Sequence, residues 1–183
     1  MNTRSFQAEG IVIKRKNIGE ADRIITVFTK LHGKLQIKAA GVRRITSRRS
    51  SHIELLNHAR FSLYRGRSLP ILTEIETISD YSPIKANLKK VGFAYHVCEL
   101  IDGLCAENQE NNLIFSLLEQ TLSQLSLENN IPQLVYNFEI TLLKHLGFFP
   151  SVQYSQNINT QGFIENILER RLKSKQLLPQ FTQ

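Results

Sequence analysis

The residues of this sequence best suited to chemistry are cations, and they are concentrated between residues 34 and 49. Over residues 34–39, KLQIKA, polar and apolar side chains alternate, which predicts a strand with Lys34 and Lys38 on its solvent face. The segment after Gly41 is rich in Ser, Thr and Arg, and it predicts an exposed loop that carries Arg43, Arg44, Arg48 and Arg49. Cations spaced along such a surface can neutralise successive phosphates of a nucleic acid.

Further cations flank other predicted strands of the same half of the chain. Arg65 and Arg67 surround Gly66 in a predicted turn, and three successive cations follow an apolar run near residue 13. The candidate nucleic-acid contacts are Lys14, Lys16, Lys34, Lys38, Arg43, Arg44, Arg48, Arg49, Arg65 and Arg67, with Arg15 beside them. The alternative is that these charges only keep loops solvated.

The distribution of charge favours binding over simple solvation. Residues 1–82 hold 15 Lys and Arg against 7 Asp and Glu, whereas residues 83–183 hold 8 against 9. A cationic half beside a nearly neutral half indicates a polyanion-binding module joined to a segment with a different task.

Motifs for catalysis are not found in the sequence. Gly41 and Gly66 are solitary and neither begins a phosphate-binding loop, and neither a serine elbow nor an HExxH motif occurs. Cys98 and Cys105 are two helical turns apart, too far for a disulfide, and are expected to be buried apolar residues. The prediction is a binding protein rather than an enzyme, with no cofactor and no metal.

Patterns of period two predict five short strands in the first half. They cover residues 6–16, 22–29, 34–39, 59–64 and 69–78, and the last is predicted to place Ile71, Thr73, Ile75 and Thr77 on one face. Five antiparallel strands with a long third connection predict a small, partly open barrel of the oligonucleotide-binding (OB) type, and an SH3-like barrel is the alternative.

Helical periodicity replaces this pattern near Pro83. Apolar spacing predicts helices from Ile84 to Cys105, from Asn111 to Leu127, from Pro132 to Leu146 and from Phe163 to Lys175, with a polar loop over residues 151–162. Cations in the last helix, namely Arg170, Arg171, Lys173 and Lys175, are expected to interact with its C-terminal dipole. The predicted class is α+β, with an OB-fold domain at residues 1–82 and an all-α helical domain at 83–183.

Several phrases resemble the RecO family of bacterial recombination mediators. They are AEGIVIKRKNIGEADRIITVFTKLHGK, KAAGVRRITSRR and LYRGRSLPILTEIE, with LKHLGFFP further on. The resemblance implies an OB-fold barrel followed by a helical domain. It also implies binding of single- and double-stranded DNA, annealing of complementary strands, and help in loading RecA onto DNA coated with single-strand-binding protein, usually with RecR. The matching phrases contain the basic positions Lys34, Lys38, Arg43, Arg44, Arg65 and Arg67.

The sequence departs from the family after Pro150. Many relatives carry a four-cysteine zinc module there, whereas no cysteine follows Cys105, so zinc binding is not expected. The short stretch after Pro150 leaves open whether the contact with the acidic tail of single-strand-binding protein is kept.

The expected location is cytoplasmic and associated with the nucleoid, because the sequence lacks both a signal-peptide core and an apolar run of membrane-spanning length. An RNA-binding or ribosome-associated OB-fold protein is the alternative function.

Overall fold

In the computed structural model, which describes residues 4–127, 130–148 and 159–174, strands come first and helices follow. The strands are β1 (Ser5–Ile18), β2 (Asp22–Thr29), β3 (Gly33–Ala39), β4 (His58–Tyr64) and β5 (Ile71–Ser79). The helices are α1 (Ser82–Lys85), α2 (Leu88–Leu104), α3 (Asn112–Leu127), α4 (Ile131–His145) and α5 (Thr160–Leu168). The predicted α+β class is therefore confirmed.

The five strands form a closed barrel in the order β1–β2–β3–β5–β4, with β4 returning to β1. Strand β1 is long enough to pair with two neighbours, with β4 over its first half and with β2 over its second. A β-bulge between Val12 and Lys14 bends the strand between these two partners. Strands β3 and β5 meet in parallel at the pair Lys38–Ile71, which closes the barrel. The predicted OB fold is confirmed, although the barrel is closed and not partly open.

The barrel interior is filled by the apolar side chains that alternate along its strands. Val27 on β2 faces Leu35 on β3, and Phe61 on β4 is completely buried. Burying an aliphatic or aromatic side chain of this size contributes about 1.5–3 kcal/mol each. The core consists of Ala8, Val12, Ile25, Val27, Leu35, Ile37, Ala39, Val42, Ile53, Ala59, Phe61, Leu63 and Leu72.

Strand β5 departs from the predicted alternation. Its register with β4 shifts between Ser62 and Leu63, so that Leu72 lies opposite Leu63 and Ile75 lies opposite Phe61. Leu72 and Ile75 both face inward, since their partners are buried, and Thr73 is the exposed extra residue between them. The expectation that Ile71, Thr73, Ile75 and Thr77 share one face was wrong, because a bulge reverses the alternation.

The helix predicted from Ile84 to Cys105 is divided in two. The break lies at Asn87, whose side chain accepts a hydrogen bond from the backbone amide of Lys90 (3.2 Å) and so begins α2. Cys98 and Cys105 are buried and form no disulfide with each other, as predicted, and burial raises the pKa of Cys98 to about 12.

The last described helix is shorter than predicted. It ends at Leu168, because Glu169 adopts a left-handed conformation with φ of 53°. Arg170, two residues beyond this end, donates to Glu99 (2.7 Å), and its interaction with the helix dipole stays a prediction. Lys175 and most of the predicted loop at 151–162 lie outside the described residues.

A chain of polar side chains connects α2, α4 and α5 in the helical part. His96 is fully buried, and its Nε2 lies 2.6 Å from Oε1 of Glu139 while its Nδ1 lies 2.8 Å from the hydroxyl of Ser174. Thr160 donates to the second carboxyl oxygen of Glu139, and Ser174 donates to Glu99 (2.6 Å). Because the Ser174 hydroxyl gives its proton to Glu99, Nδ1 of His96 must be a donor, and Nε2 and Glu139 then share one proton.

Glu99 is the last member of this series of hydrogen-bonded side chains, and it is half-buried. Partial burial works to raise the pKa of Glu99, but hydrogen bonds from Ser174, Arg170 and the backbone amides of Ser174 and Lys173 outweigh it and lower the pKa to about 2. These bonds hold the residues after α5 against α2.

The chain forms two compact units, and the boundary between them is crossed more than once. One unit contains residues up to Tyr81 together with Ala106–Phe115, and the other contains Ser82–Cys105 and the described residues from Ser116 onwards. The sequence predicted a barrel domain of residues 1–82, whereas this unit takes a second segment from the helical half.

The segment Ala106–Phe115 covers part of the barrel's outer surface. The amide of Asn108 donates to the carbonyl of Lys34 (3.0 Å), and the side-chain amide of Gln36 donates to Glu107 (2.7 Å). At its end, the ring of Phe115 meets His58 edge-on, with the centroids 5.8 Å apart. This cover decides which cations of β3 reach solvent.

Gly33 allows the cover to approach closely. It has a φ of +63°, and a Cβ placed there would lie 2.0 Å from the carbonyl oxygen of Gln109. Gly33→Ala is expected to lower the free energy of unfolding by about 2–3 kcal/mol, because the clash adds to the backbone strain. Urea denaturation followed by circular dichroism measures this loss.

The matched control for this prediction is Gly19→Ala. Gly19 also has a positive φ, +54°, but a Cβ there would meet nothing within 4 Å. Only the backbone strain of about 1 kcal/mol is expected. Equal losses in the two variants would show that the contact with Gln109 contributes nothing.

Candidate nucleic-acid interface

The register of β1, β2 and β3 arranges lysines on the outer face of the barrel. Lys16 lies opposite Ile24, which in turn lies opposite Lys38, so these residues share one row and one face. Lys14 is two residues from Lys16 and therefore has the same orientation. Lys14, Lys16 and Lys38 are exposed, and two strand spacings separate the backbones of Lys16 and Lys38 by about 10 Å.

Lys34 lies further along this outer face but does not reach solvent. The alternation was predicted correctly, since Lys34 has the orientation of Gln36 and Lys38. However, only 7% of Lys34 is exposed, because Glu107 and Asn108 lie beside it. The expectation that Lys34 lies on the solvent face was wrong, because Lys34 is buried by Glu107 and Asn108, which are distant in sequence and which periodicity could not reveal.

The loop between β3 and β4 is fixed to the β1–β2 turn through Asp22. One carboxyl oxygen of Asp22 accepts from the amide of Gly41 (2.8 Å), and the other lies 3.2 Å from the ammonium of Lys38. The hydrogen bond from Gly41 and then the one from Lys38 lower the pKa of Asp22. Arg43 donates to the carbonyl of Gly19 (2.8 Å) and so adds a second attachment. Asp22 therefore positions both Lys38 and the start of the loop.

Arg49 stabilises the same loop through hydrogen bonds to backbone carbonyls. Its guanidinium donates to the carbonyls of Ala40 (3.0 Å) and Leu72 (2.8 Å), so it ties the loop to β5 beside the point of barrel closure. Five donors in a rigid fork suit Arg to bridging several carbonyls at once. We therefore assign Arg49 a positioning role, which its charge alone could not reveal.

Arg44 and Arg48 are two of the exposed cations of the anchored loop, the name we give to residues 40–57 between β3 and β4. They line a cavity of about 520 Å³ together with Asp22, Ser47 and Arg49. Neither guanidinium makes a hydrogen bond or ion pair with another described residue. Their donors are thus available to phosphate oxygens, which guanidinium groups bind in a bidentate manner.

The remaining predicted cations have different surroundings. Arg65 and Arg67 are exposed on the β4–β5 turn, and the guanidinium of Arg65 lies 5.3 Å from the ring centroid of Phe6. This turn adjoins the lysine face, because the carbonyl of Pro70 accepts from the amide of Lys38 (2.8 Å). Arg15 forms an ion pair with Glu54, which places an acidic group inside the otherwise cationic region.

Within residues 4–127, 130–148 and 159–174, no group of three or more His, Cys, Asp or Glu is arranged to hold a metal ion. Over that part of the chain, no helix combines the length and the apolar character needed to cross a membrane.

Two family models match the chain one after the other. Residues 1–81 match the model described as "Recombination protein O N terminal", and residues 85–172 match "Recombination protein O C terminal". Together they span nearly all of both compact units.

Curated proteins named "DNA repair protein RecO" are similar over most of this chain. The protein of Roseiflexus sp. (strain RS-1) is 36% identical over 152 residues, which cover 83% of this chain and 53% of that protein. The protein of Moorella thermoacetica is 39% identical over 150 residues, with coverages of 81% and 55%. The protein of Symbiobacterium thermophilum is 33% identical over 162 residues, with coverages of 88% and 64%. The chain thus spans between half and two thirds of the length of these relatives.

Proposed function

Because the chain belongs to the RecO family, we propose that it is a DNA-binding protein of recombinational DNA repair. The observation that carries the proposal is the exposed cationic surface, which we define as Lys14, Lys16 and Lys38 on the strands and Arg43, Arg44 and Arg48 on the anchored loop. An OB-fold barrel commonly presents its strands two and three to nucleic acid. Here β3 carries Lys38, and β1, which pairs with β2, carries Lys14 and Lys16.

The proposed action is to bring complementary strands together. Cations bound to phosphates release counterions and reduce the repulsion between two DNA backbones, so that base pairing can proceed. The contacts are made to backbone phosphates and depend little on sequence. Binding of both single- and double-stranded DNA follows from the same surface, and no bond is made or broken by the protein.

Protein partners enter the proposal through the family. The protein would act with RecR on DNA coated with single-strand-binding protein and so assist the loading of RecA indirectly. We assign these contacts to the helical unit, since its net charge is close to zero and it does not share the cationic surface. A location on chromosomal DNA in the cytoplasm fits this role.

Annealing of complementary strands coated with single-strand-binding protein tests the proposal. The full chain is expected to accelerate annealing of the coated strands, whereas an unrelated basic domain should accelerate only naked strands. Filter binding with single-stranded DNA, duplex DNA and RNA of matched length decides the nature of the ligand. A strong preference for RNA would replace the proposal with the RNA-binding alternative.

A further inference from the structure

A second cavity, also of about 520 Å³, opens at a part of the barrel unit that the cationic surface does not include. Its walls come from the start of β1, the β2–β3 turn, the β4–β5 turn and the covering segment. The residues that line it include Phe6, Leu31, His32, Arg65, Asn108 and Glu110. We call it the turn pocket. Its size falls within the range of pockets that hold small planar ligands.

Aromatic and apolar groups line the turn pocket. Phe6 and His32 meet edge-on, with ring centroids 5.4 Å apart and planes at 80°. Leu31 contributes an exposed apolar side chain at the edge, 58% accessible. An exposed leucine beside two half-buried rings is a surface that a flat, weakly polar group can cover with a gain in free energy.

Polar groups surround the rings without filling the turn pocket. Asn108 and Glu110 from the covering segment bring an amide and a carboxylate, which can accept hydrogen bonds, and the amide can also donate. Arg65 stacks its guanidinium on Phe6, which shows that the ring face accepts a planar cation. An apolar wall with donors and acceptors at its edge matches a nucleobase, which has a π face and a polar edge.

The turn pocket adjoins β3, the strand that carries Lys38. Its wall includes Pro70, whose carbonyl accepts from the amide of Lys38, and Lys38 belongs to the lysine row. Lys30, Arg65 and Arg67 are exposed around it, so its surroundings are cationic despite Glu110. A DNA strand whose phosphates bind Lys16 and Lys38 would thus reach the turn pocket while it stays in a region of positive electrostatic potential.

We infer that the turn pocket holds one unstacked base of a single DNA strand, which replaces the Arg65 guanidinium over the ring of Phe6 and leaves Arg65 and Arg67 to bind the adjoining phosphates. The inference rests on the proposed function and adds to it a site that distinguishes single strands from duplex. Bases of a duplex are stacked and paired, so they cannot enter without an unstacking cost of a few kcal/mol. The base is recognised by stacking and not by identity, since every base has a π face.

Two substitutions remove the stacking surface and keep the shape of the barrel. Phe6→Leu retains an apolar side chain against the core but lacks the ring, and His32→Ala removes the second ring at a turn. The probes are an oligothymidylate of about 15 nucleotides, an abasic oligomer with the same number of phosphates, and a duplex of equal length. Fluorescence anisotropy at fixed salt gives each dissociation constant.

The wild-type chain is expected to bind the oligothymidylate about tenfold more tightly than the abasic oligomer. The Phe6→Leu/His32→Ala variant should lose most of this preference while its affinity for duplex changes less than about twofold. If the double variant fails to fold, His32→Ala alone gives the same comparison. A preference for bases that survives removal of both rings would overturn the inference.

The outcomes separate this inference from the proposed function. If the wild type binds neither DNA probe, the proposed function fails. If it binds both and Arg44→Ala/Arg48→Ala weakens both, but Phe6→Leu/His32→Ala changes nothing, only the turn pocket is rejected. If the ring variant weakens duplex and oligothymidylate equally, the rings serve folding or charge placement, and the inference is again rejected.

Discussion

The double variant Arg44→Ala/Arg48→Ala is expected to bind DNA about tenfold more weakly than the wild type at moderate salt. Both guanidinium groups are exposed on an anchored loop, and neither makes a hydrogen bond or close ion pair with a described residue, so each is available to one phosphate. Losing two phosphate contacts should also reduce the slope of log affinity against log salt by about 1.8 on duplex DNA and about 1.4 on single strands. Anisotropy titrations at several salt concentrations measure both quantities.

Arg60→Ala is the matched control for this variant. Arg60 is also an exposed arginine, but it lies opposite Glu9 on β1 and Glu76 on β5 and forms an ion pair with Glu76 (3.0 Å). Its removal should leave both the affinity and the salt slope nearly unchanged. A salt slope that is the same in the loop variant and in the wild type would remove Arg44 and Arg48 from the interface.

His96→Ala is expected to lower the free energy of unfolding by about 3–5 kcal/mol. The substitution removes the imidazole that lies against the buried carboxyl group of Glu139, and it also removes the Nδ1 donor opposite the hydroxyl of Ser174. Breaking a buried pair from one side costs more than the pair itself contributes, because the remaining polar group stays without water. Urea denaturation followed by the far-UV signal of the helices reports the loss.

The variant His96→Leu/Glu139→Leu tests the physical reason. It replaces both partners with apolar groups, so no charge remains buried, and it should be less destabilised than the sum of the single variants by more than about 1 kcal/mol. Additive losses would mean that the two side chains are not coupled. Ser123→Ala on exposed α3 surface, where the hydroxyl only donates to the carbonyl of Glu119, is expected to change stability by less than about 0.5 kcal/mol.

Local patterns were sufficient to predict the barrel strands. The sequence 22–29 is dense in β-branched residues and ends at a glycine turn, and the structure has β2 with these bounds. Alternation also identified Ala59, Phe61 and Leu63 as inward-facing, and all three are completely buried. Such predictions succeed because side-chain alternation and burial are properties of neighbouring residues.

Features that depend on distant residues could not be predicted in this way. The bulge at Thr73 arises from the register between β4 and β5, which the sequence of β5 alone does not contain. The burial of Lys34 depends on the covering segment, whose residues before α3 form the polar run 107–111 and give no periodic signal. A charge pattern gives the orientation of a side chain but not what lies above it.

The same distinction applies to the cationic surface. Arg49 and Arg44 look equivalent in sequence, yet one braces the loop through backbone carbonyls and the other is exposed in the cavity. Asp22 is an acidic residue in a basic region, and its position in the sequence does not indicate that it holds the loop through the amide of Gly41. The hydrogen bond from the amide of Gly41 to the carboxylate of Asp22 becomes visible only in the structure, because the two residues are distant in sequence.

The covering segment also sets an order of events during synthesis. Residues 106–115 emerge from the ribosome after the fifth strand is complete, so the nascent barrel first exists without the segment that contacts Lys34 and His58. Co-translational folding of this half therefore finishes only once part of the helical half has been made. A fragment truncated after Ser82 would lack this segment, so the carbonyl of Lys34 would lose its hydrogen bond from Asn108 and His58 would lose its contact with Phe115.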